Sequence, residues 1–299
     1  MIDIKDRVVS VDRVDGQCIG RFDAMASPCE LIVDSIDKGL AQKLTQCVAS
    51  EAWRIEQKFS RYRDDNVLYE INNADGKVVE VDEETGHLLT FASTAFHLSD
   101  GAFDITSGVL RKVWRFDGGE NIPSKIVVNK LRADVGWQKV DWQQPKLKLL
   151  PGMELDFGGF GKEYAVDRAA NIVQEACDDI AFLVNFGGDL YTNKAPRQKQ
   201  HWSVGVDRVG GLSSALIQLE YGGLATSGDA NRYLLKGGKR YSHVLNPKTG
   251  WPVECAPHAV TVAAPSCTDA GLIATLAMLA GKDAEVFLDA QACLHWIQR

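Results

Sequence analysis

The chain has 299 residues, of which 45% are hydrophobic and 24% charged, and its formal net charge is −7. This composition is typical of a globular protein with a sizeable core, so extended disorder is excluded. The acidic balance argues against nucleic acid as the main partner, because phosphate backbones are bound by concentrated Lys and Arg side chains. The seven cysteines include no Cys-x-x-Cys pair, so neither a disulfide framework nor a zinc site is indicated.

Hydrophobic periodicity predicts strands and helices in mixed order. The first half of the chain is predicted to contain a strand over 18–34 and helices over 37–58, within 59–76 and over 84–99. A hairpin over 145–157, turning at Pro151-Gly152, and a helix after Gly161 follow. The rest is predicted to contain a buried strand within 182–192 that ends at a glycine pair, strands over 202–208 and 215–228, and helices over 269–281 and 282–289. Because there is no strict βαβ alternation, we predict an α+β fold. No repeat, low-complexity tract or linker occurs, which predicts one compact domain of mixed sheets and helices over 1–299.

The N-terminal residues argue against export and membrane insertion. The segment MIDIKDRVVSVDRVDG carries a charge every few positions, so it contains no apolar signal region. No run of about eighteen apolar residues occurs in the sequence. We therefore expect a cytoplasmic protein without membrane insertion.

Residues 155–167, LDFGGFGKEYAVD, combine features that favour anion binding. Asp156 ends a predicted strand, and Gly158 and Gly159 allow the backbone to approach a ligand closely. Lys162 then opens a helix whose N-terminus offers free N–H groups and the positive end of the dipole. The glycine spacing is not that of a dinucleotide-binding fingerprint. The alternative is a tight strand-to-helix turn with a solvated lysine.

A second polar cluster follows the strand over 215–228. Thr226, Ser227 and Asp229 place hydroxyls and a carboxylate after an apolar strand, and His243 comes about a dozen residues later in SHVLNPKTG. His243 is a candidate general base. The alternative is a hairpin turn with a hydrogen-bonded, structural histidine.

Six segments in this order give the chain a specific resemblance. They are GAFDIT (101–106), LDFGGFGKEYAVD (155–167), NFGGD (185–189), ATSGD (225–229), SHVLNPKTG (242–250) and AGLIATLAMLAG (270–281). The series resembles the ApbE family of flavin transferases, and the segments around Met25 and Tyr62 match it more loosely. The resemblance covers about residues 20–298. It implies a transferase that moves FMN from FAD to a threonine hydroxyl of an acceptor protein, releases AMP and depends on Mg²⁺.

The resemblance also implies which residues form the site. The FAD-binding residues would be Met25, Tyr62, Ala102, Phe103, Asp104, Asp156, Lys162, Thr226, Ser227 and Leu245. Lys162 would meet the pyrophosphate oxygens, and His243 would help to deprotonate the acceptor. The metal would be held by the backbone carbonyl of Gly159 and the hydroxyl of Thr275.

One departure from the family pattern concerns the metal. Alignment on Thr275 places Gly271 where the family has a metal-binding Asp. Asp269 lies two residues earlier, which is about 200° away on a helix. If the helix starts later than in the family, Asp269 could lie in the preceding loop and still reach the metal. We predict that Asp269 partly supplies the missing ligand.

The other departure is Glu163, where the family has a glycine after the lysine. Glu163 either adds negative charge beside the anion site or offers a new ligand. If Lys162 faces the phosphates, the Glu163 side chain is expected to point away from them.

Three other functions remain open at this stage. Water could replace threonine, which would make the protein a metal-dependent FAD pyrophosphatase. Loss of the metal ligand could leave a flavin-binding protein without catalysis, and a homologue that binds no flavin is the third possibility.

Overall fold

An antiparallel sheet of eight strands forms the centre of the fold. The structure is a computed structural model that describes residues 7–206, 215–229 and 232–299. The order across the sheet is β1 (Ser10–Val14), β2 (Gln17–Ala24), β3 (Ser27–Val33), β7 (Phe182–Phe186), β8 (Asp189–Thr192), β11 (Gly222–Gly228), β16 (Ala259–Ala264) and β17 (Leu294–Gln298). All neighbouring strands are antiparallel. Tight turns therefore join β2 to β3 at Met25-Ala26 and β7 to β8 at Gly187-Gly188.

Three long helices cover one face of this sheet. They are α1 (Lys38–Phe59), α5 (Gly161–Ala176) and α6 (Cys267–Ala280). Their apolar sides pack against inward residues of the strands, including Leu31, Val184 and Val262, to form the main core. No helix in the described ranges has the length and apolar character needed to cross a membrane.

The remaining elements are shorter, except that the helix Glu83–Leu98 is as long as α5. The helices are α2 (Val67–Asn72), α3 (Glu83–Leu98), α4 (Lys125–Arg132) and α7 (Ala284–Ala290), with 3₁₀ helices at Ile105–Lys112, Trp137–Lys139 and Gly281–Asp283. The short strands are β4 (Val78–Glu80), β5 (Asp141–Gln143), β6 (Lys146–Lys148), β9 (Trp202–Val206), β10 (Ala215–Leu219), β12 (Tyr233–Lys236), β13 (Lys239–Ser242), β14 (Leu245–Asn246) and β15 (Trp251–Pro252).

Three smaller apolar clusters of the described residues lie outside the main core, one of them formed by Val11, Cys18 and Ala41. The other two are larger. Alternation along the strands turns Leu183 and Leu224 to the other face of the large sheet, where the β9–β10 hairpin covers them with Trp202. The second cluster surrounds Trp114, whose indole N–H donates to the Gly250 carbonyl over 2.9 Å. This second cluster holds α4 and the β12–β15 hairpins beside the 3₁₀ helix over 105–112.

The six predicted helices are present, but three predicted strands are wrong in detail. The strand expected over 215–228 is two strands, β10 and β11, which belong to different sheets. Of the strand expected over 202–208, β9 covers 202–206, and 207–208 lie outside the described residues. The strand expected over 18–34 is the β2–β3 hairpin, because Met25 and Ala26 adopt φ values of 52° and 57° and reverse the chain. The element within 182–192 is likewise a hairpin, since Gly187 and Gly188 form the turn between β7 and β8. Apolar runs on both sides of each turn hid the reversal in the sequence.

The hairpin predicted at Pro151-Gly152 is also wrong. The hairpin lies earlier, with β5 paired to β6 and β6 paired to β4. After Gly152 the chain runs extended without a strand partner, and the N–H of Leu155 donates to the Asn72 side chain over 2.7 Å. Alternating apolar residues here reflect burial in the core rather than strand pairing.

A charged cluster around Glu84 joins three helices. Glu84 of α3 contacts Arg54 and Lys58 of α1, both at 2.6 Å, and accepts the hydroxyl of Tyr164 of α5 at 2.8 Å. Burial alone would raise the pKa of Glu84, but Arg54, Lys58 and Tyr164 lower it to about 2. The carboxylate therefore stabilises the packing of α3 on α1 and α5 at neutral pH.

Replacing Glu84 by Gln should lower the free energy of unfolding by about 1–3 kcal/mol near neutral pH, because the partners lose a bound negative charge. A depressed carboxyl pKa stabilises the folded state above its ordinary value of 4.5, and this contribution is lost as the pH falls towards about 2. In urea unfolding, the difference between native and Glu84→Gln protein should thus shrink on going from about pH 7 to about pH 3. The control is Glu83→Gln, an exposed neighbour, which should cost less than about 0.5 kcal/mol. An equal loss at both pH values would contradict the assigned role.

Candidate active site

An ion pair between Lys162 and Asp189 marks the centre of the candidate site. Lys162 is the second residue of α5, Asp189 opens β8, and their Nζ and Oδ2 atoms are 2.7 Å apart. Asp189 is almost fully buried and also accepts the N–H of Thr226 in β11 over 3.1 Å. Burial opposes the charge on Lys162, but the negative charge of Asp189 raises its pKa. Lys162 therefore stays protonated and links a helix start to two strands.

The glycine turn between β7 and β8 brings backbone close to Lys162. A Cβ on Gly187 would lie 3.6 Å from Lys162 Nζ and 2.7 Å from the Ser27 side chain. The N–H of Gly187 donates to a backbone carbonyl of β3 over 3.0 Å, so this turn lies beside the β2–β3 turn. Met25 and Ala26 hold the left-handed conformation there, a strained arrangement for residues with side chains that often occurs at ligand sites.

The start of α5 is open to a ligand. Phe160 precedes the helix, and no side chain caps the first N–H groups. Gly159 lies against the ring of Phe103, since a Cβ on Gly159 would be 3.2 Å from a ring carbon. An uncapped helix N-terminus with a lysine in its first turn favours an anion such as phosphate.

Asp156 organises the glycine turn instead of presenting free oxygens. Its Oδ2 accepts from Arg61 at 2.8 Å and contacts Arg111 Nε at 3.2 Å, and its Oδ1 accepts the N–H of Gly158 at 2.8 Å. The 3₁₀ helix approaches so closely that a Cβ on Gly108 would lie 2.5 Å from that of Asp156. Two guanidinium groups and one carboxylate leave one positive charge beside the turn.

Asp104 is likewise engaged by protein donors. It is buried and accepts the N–H and hydroxyl of Thr106, at 2.8 and 2.6 Å, and the N–H of Trp137 at 3.0 Å. Burial raises the pKa of Asp104 despite these hydrogen bonds. Asp104 therefore fixes the loop before Trp137 against the 3₁₀ helix. The ring of Phe103 lies against Gly159, and the N–H of Ala102 donates to the Ser99 carbonyl over 3.0 Å.

Three other predicted residues lie around this arrangement. Tyr62 is 76% exposed, and the Arg61 guanidinium carbon lies over its ring at 5.8 Å from the centroid. An exposed aromatic ring offers a face on which a flat ligand can stack. Leu245 packs in the Trp114 cluster. The Nδ1 of His243 is buried without a hydrogen-bond partner among the described residues. Burial, together with Arg111 and Arg232, lowers the pKa of His243 to about 4.

Hydroxyl groups line the opposite side of the ion pair. The Thr226 hydroxyl lies 2.8 Å from that of Thr261 on the neighbouring strand β16. Ser227 follows Thr226 in β11 and is partly buried. The backbone N–H of Thr226 binds Asp189, so this strand end is fixed relative to Lys162.

The Glu163 side chain faces helix α6. A Cβ on Gly271 would lie 2.6 Å from Glu163 Cγ and 2.8 Å from its Oε1, so the Glu163 carboxyl occupies the space above Gly271. Burial and the negative charge of Asp189 raise the pKa of Glu163. Thr275 is one helical turn beyond Gly271 and shares its face of α6.

The structure does not bring Asp269 to this place. Helix α6 starts at Cys267, so Asp269 lies within the first helical turn and not in the preceding loop. Its N–H and carboxylate both bind the capping residue Ser266, at 3.0 and 2.7 Å. Asp269 also lines an outer groove with Gln291 and Leu294. The condition under which Asp269 could replace the family's metal ligand is therefore not met.

Among the described residues, no group of three or more His, Cys, Asp or Glu side chains is arranged to hold a metal. A cage made of protein side chains alone is thus absent from this part of the chain. Mg²⁺ commonly uses one or two carboxylates together with substrate phosphates and water, so a site completed by a phosphate ligand is compatible with the geometry.

Sequence reasoning missed Asp189, Arg61 and Arg111 as site residues. Asp189 follows a glycine pair and reads as part of a turn, although it belongs to the quoted NFGGD segment. Arg61 immediately precedes Tyr62, and its position in the segment around Tyr62 could have indicated it. Arg111 joins the site only through the fold of the 3₁₀ helix.

The α+β fold sets the Lys162–Asp189 pair at the uncapped start of α5, an arrangement that favours an anionic ligand. The model of the ApbE family matches residues 25–294, and the chain belongs to the ApbE family. The resemblance and the α+β fold predicted from the sequence are thereby confirmed.

Relatives cover most of the chain. A FAD:protein FMN transferase of Klebsiella pneumoniae (strain 342) is 30% identical over 260 residues, which are 84% of this chain and 79% of the relative. One from Escherichia coli (strain K12) is 27% identical over 292 residues, 93% of this chain and 81% of the relative. The crystal structure of the ApbE protein from Thermotoga maritima superimposes with a TM-score of 0.84 at 29% identity, covering 98% of this chain and 94% of that one.

Replacing Asp104 by Ala should lower the free energy of unfolding by about 2–4 kcal/mol, because three buried donors lose a charged acceptor. The variant should lose flavin binding only in proportion to unfolding, as measured by chemical denaturation and by titration on the folded fraction. Asp100→Ala, at an exposed position paired only with Lys248 at 3.1 Å, is the control and should cost less than about 1 kcal/mol. A stable Asp104→Ala variant that binds no flavin would show instead that Asp104 contacts the ligand.

Proposed function

We propose that this chain is a FAD:protein FMN transferase that moves FMN from FAD to a threonine hydroxyl of an acceptor protein and releases AMP. The single observation that carries the proposal is Lys162, held by Asp189 at the uncapped start of α5 beside the Gly187 turn. Membership of the ApbE family supports it, since the relatives from Klebsiella pneumoniae and Escherichia coli carry this activity in their names.

The FAD pyrophosphate is proposed to bind at the start of α5. There the Lys162 ammonium offers donors of fixed charge, and the helix N–H groups point at the same anion. Arg61 and Arg111 add positive charge on the other side of the glycine turn. The exposed ring of Tyr62 is the proposed stacking partner of the isoalloxazine, with Met25 and Leu245 as further apolar neighbours.

In the proposed reaction the threonine oxygen forms a bond to the phosphorus of the FMN half. The bond between that phosphorus and the bridging oxygen breaks, AMP leaves with the bridging oxygen, and the hydroxyl proton passes to a base. His243 is the candidate base: its low pKa keeps it neutral and able to accept a proton at neutral pH.

His243→Ala should then slow AMP release at least about tenfold without changing FAD affinity. An unchanged rate of AMP release would show that His243 is not the base.

Mg²⁺ fits the oxygen donors present at this place. The candidates are the Glu163 carboxylate, the Thr275 hydroxyl and the Gly159 carbonyl, all of them hard oxygen ligands of the kind Mg²⁺ prefers. Bound there, Mg²⁺ would neutralise charge on the pyrophosphate and on the leaving AMP.

A cytoplasmic location and a cytoplasmic acceptor protein remain predictions, which cell fractionation tests.

A direct assay separates this function from its alternatives. The protein is incubated with FAD, Mg²⁺ and a threonine-containing acceptor, and AMP release and acceptor mass are followed together. Transfer predicts AMP together with an acceptor that gains FMN. AMP with free FMN and an unchanged acceptor would indicate a pyrophosphatase, and bound FAD without AMP would indicate a flavin-binding protein.

Replacing Lys162 by Ala should weaken FAD binding by about 10–100-fold, because a charge-assisted contact to the pyrophosphate is lost. Riboflavin, which has no phosphate, should lose less than about threefold. Fluorescence titration of both flavins gives the ratio of the FAD dissociation constant to the riboflavin dissociation constant. A general loss of folded protein does not change this ratio. The control is Lys112→Ala, which removes a more exposed lysine paired with Glu154. Equal losses for FAD and riboflavin would place Lys162 away from the phosphates.

A further inference from the structure

Glu163 and Gly271 form one complementary pair across the contact between α5 and α6. Gly271 lies in the middle of a helix, where glycine is unfavourable and where its backbone has no left-handed conformation to demand it. A glycine is required at position 271 because the Glu163 side chain fills the adjacent space, where a Cβ on Gly271 would lie 2.6–2.9 Å from its atoms. The two departures from the family pattern are therefore a single change: the carboxylate comes from α5, and α6 gives it room.

The Glu163 carboxyl receives no hydrogen bond from the side chain of another described residue. The charged groups that act on the pKa of Glu163 are Asp189, Lys162 and Asp167. Asp189 is bound by Lys162 and by Thr226, and Asp167 accepts the N–H of Cys267 and caps α6. Asp189 and Asp167 thus receive donors from other residues, whereas the Glu163 carboxyl accepts from its own backbone N–H. When it is ionised, a buried carboxylate in this position is stabilised by a cation.

The segments that flank Glu163 also contain neutral oxygen ligands. The Gly159 carbonyl belongs to the turn directly before α5, and the Thr275 hydroxyl lies one turn beyond Gly271 on the same face of α6. Together with phosphate oxygens and water, these groups provide a set suited to a hard divalent cation. Asp269 cannot join this set, because it binds Ser266 on a different face of α6.

We infer that Glu163 is the protein carboxylate that holds the divalent metal in this chain, in the space that a side chain at position 271 would otherwise fill. The inference rests on the proposed function, because the pyrophosphate of FAD completes the coordination. The proposed site keeps a carboxylate ligand in about the same place as the family's Asp, but Glu163 of α5 supplies it instead of a residue of α6.

The test measures Mn²⁺ binding by electron paramagnetic resonance in the presence of saturating ADP, which supplies a pyrophosphate without a flavin. Glu163→Gln keeps the shape of the side chain and removes its charge, so the Mn²⁺ dissociation constant should rise at least about tenfold. Asp269→Asn is the matched control and should stay within about twofold of the native value. Equal Mn²⁺ affinity of Glu163→Gln and native protein, or an equal loss in Asp269→Asn, would overturn the inference.

A swap of the two residues tests the shared space. Gly271→Asp alone should lower the melting temperature, because the new side chain meets Glu163. Glu163→Gly alone should bind Mn²⁺ at least about tenfold more weakly. Combining Glu163→Gly with Gly271→Asp should return the dissociation constant to within about threefold of native. A double variant that is folded, as judged by circular dichroism, but binds Mn²⁺ no better than Glu163→Gly would contradict the inference.

The flavin assignment is judged separately, by titrating the native protein with FAD without metal. Native protein that binds FAD while Glu163→Gln leaves Mn²⁺ affinity unchanged would overturn the metal ligand and leave the proposed function standing. Native protein that binds neither FAD nor ADP would overturn the proposed function itself.

Discussion

The ion pair of Lys162 and Asp189 is the interaction on which the site depends. It connects the first turn of α5 to the β7–β8 turn and, through Thr226, to β11. Removing one partner from a buried pair leaves an unpaired charge and commonly costs about 3–5 kcal/mol. The same lysine therefore stabilises the fold and presents a positive charge at an open helix start, and the glycines at 158, 159 and 187 keep the surrounding backbone close.

Charge balance explains why a divalent cation fits beside this pair. Lys162 compensates Asp189, so ionisation of Glu163 at the start of α5 would add a negative charge that this ion pair does not balance. A bound pyrophosphate would add about two more negative charges. Arg61 and Arg111 are partly neutralised by Asp156, so the protein cations alone do not balance the ligand. A metal held by Glu163 would supply the missing positive charge between the ligand and the protein.

The fold was predictable where the signal is local. Helical spacing located α1, α3, α5 and α6 to within a few residues of their observed bounds, and the order of motifs identified the family. The hairpin at Pro151-Gly152 was wrong, because alternating burial next to a turn signal looks the same in sequence whether the second segment pairs as a strand or lies extended in the core.

The site was predictable only in part, because its geometry is set by contacts between distant segments. The anion-binding features of Lys162 and the glycine turn follow from strand, turn and helix signals within a dozen residues. The position of Glu163 depends on how α5 packs against α6, more than a hundred residues later in the chain, so its contact with Gly271 could not be predicted from its sequence neighbourhood. Asp156 and Asp104 look like ligand groups in sequence, yet protein donors engage both.

The most direct measurement is a crystal structure of the protein with FAD and Mn²⁺, in which the metal is located by its anomalous scattering. We predict that the pyrophosphate lies against Lys162 at the start of α5, and that the anomalous peak lies within about 2.5 Å of a Glu163 carboxylate oxygen. FAD phosphates bound away from Lys162, or a metal bound to Asp269 and remote from Glu163, would contradict the proposed site.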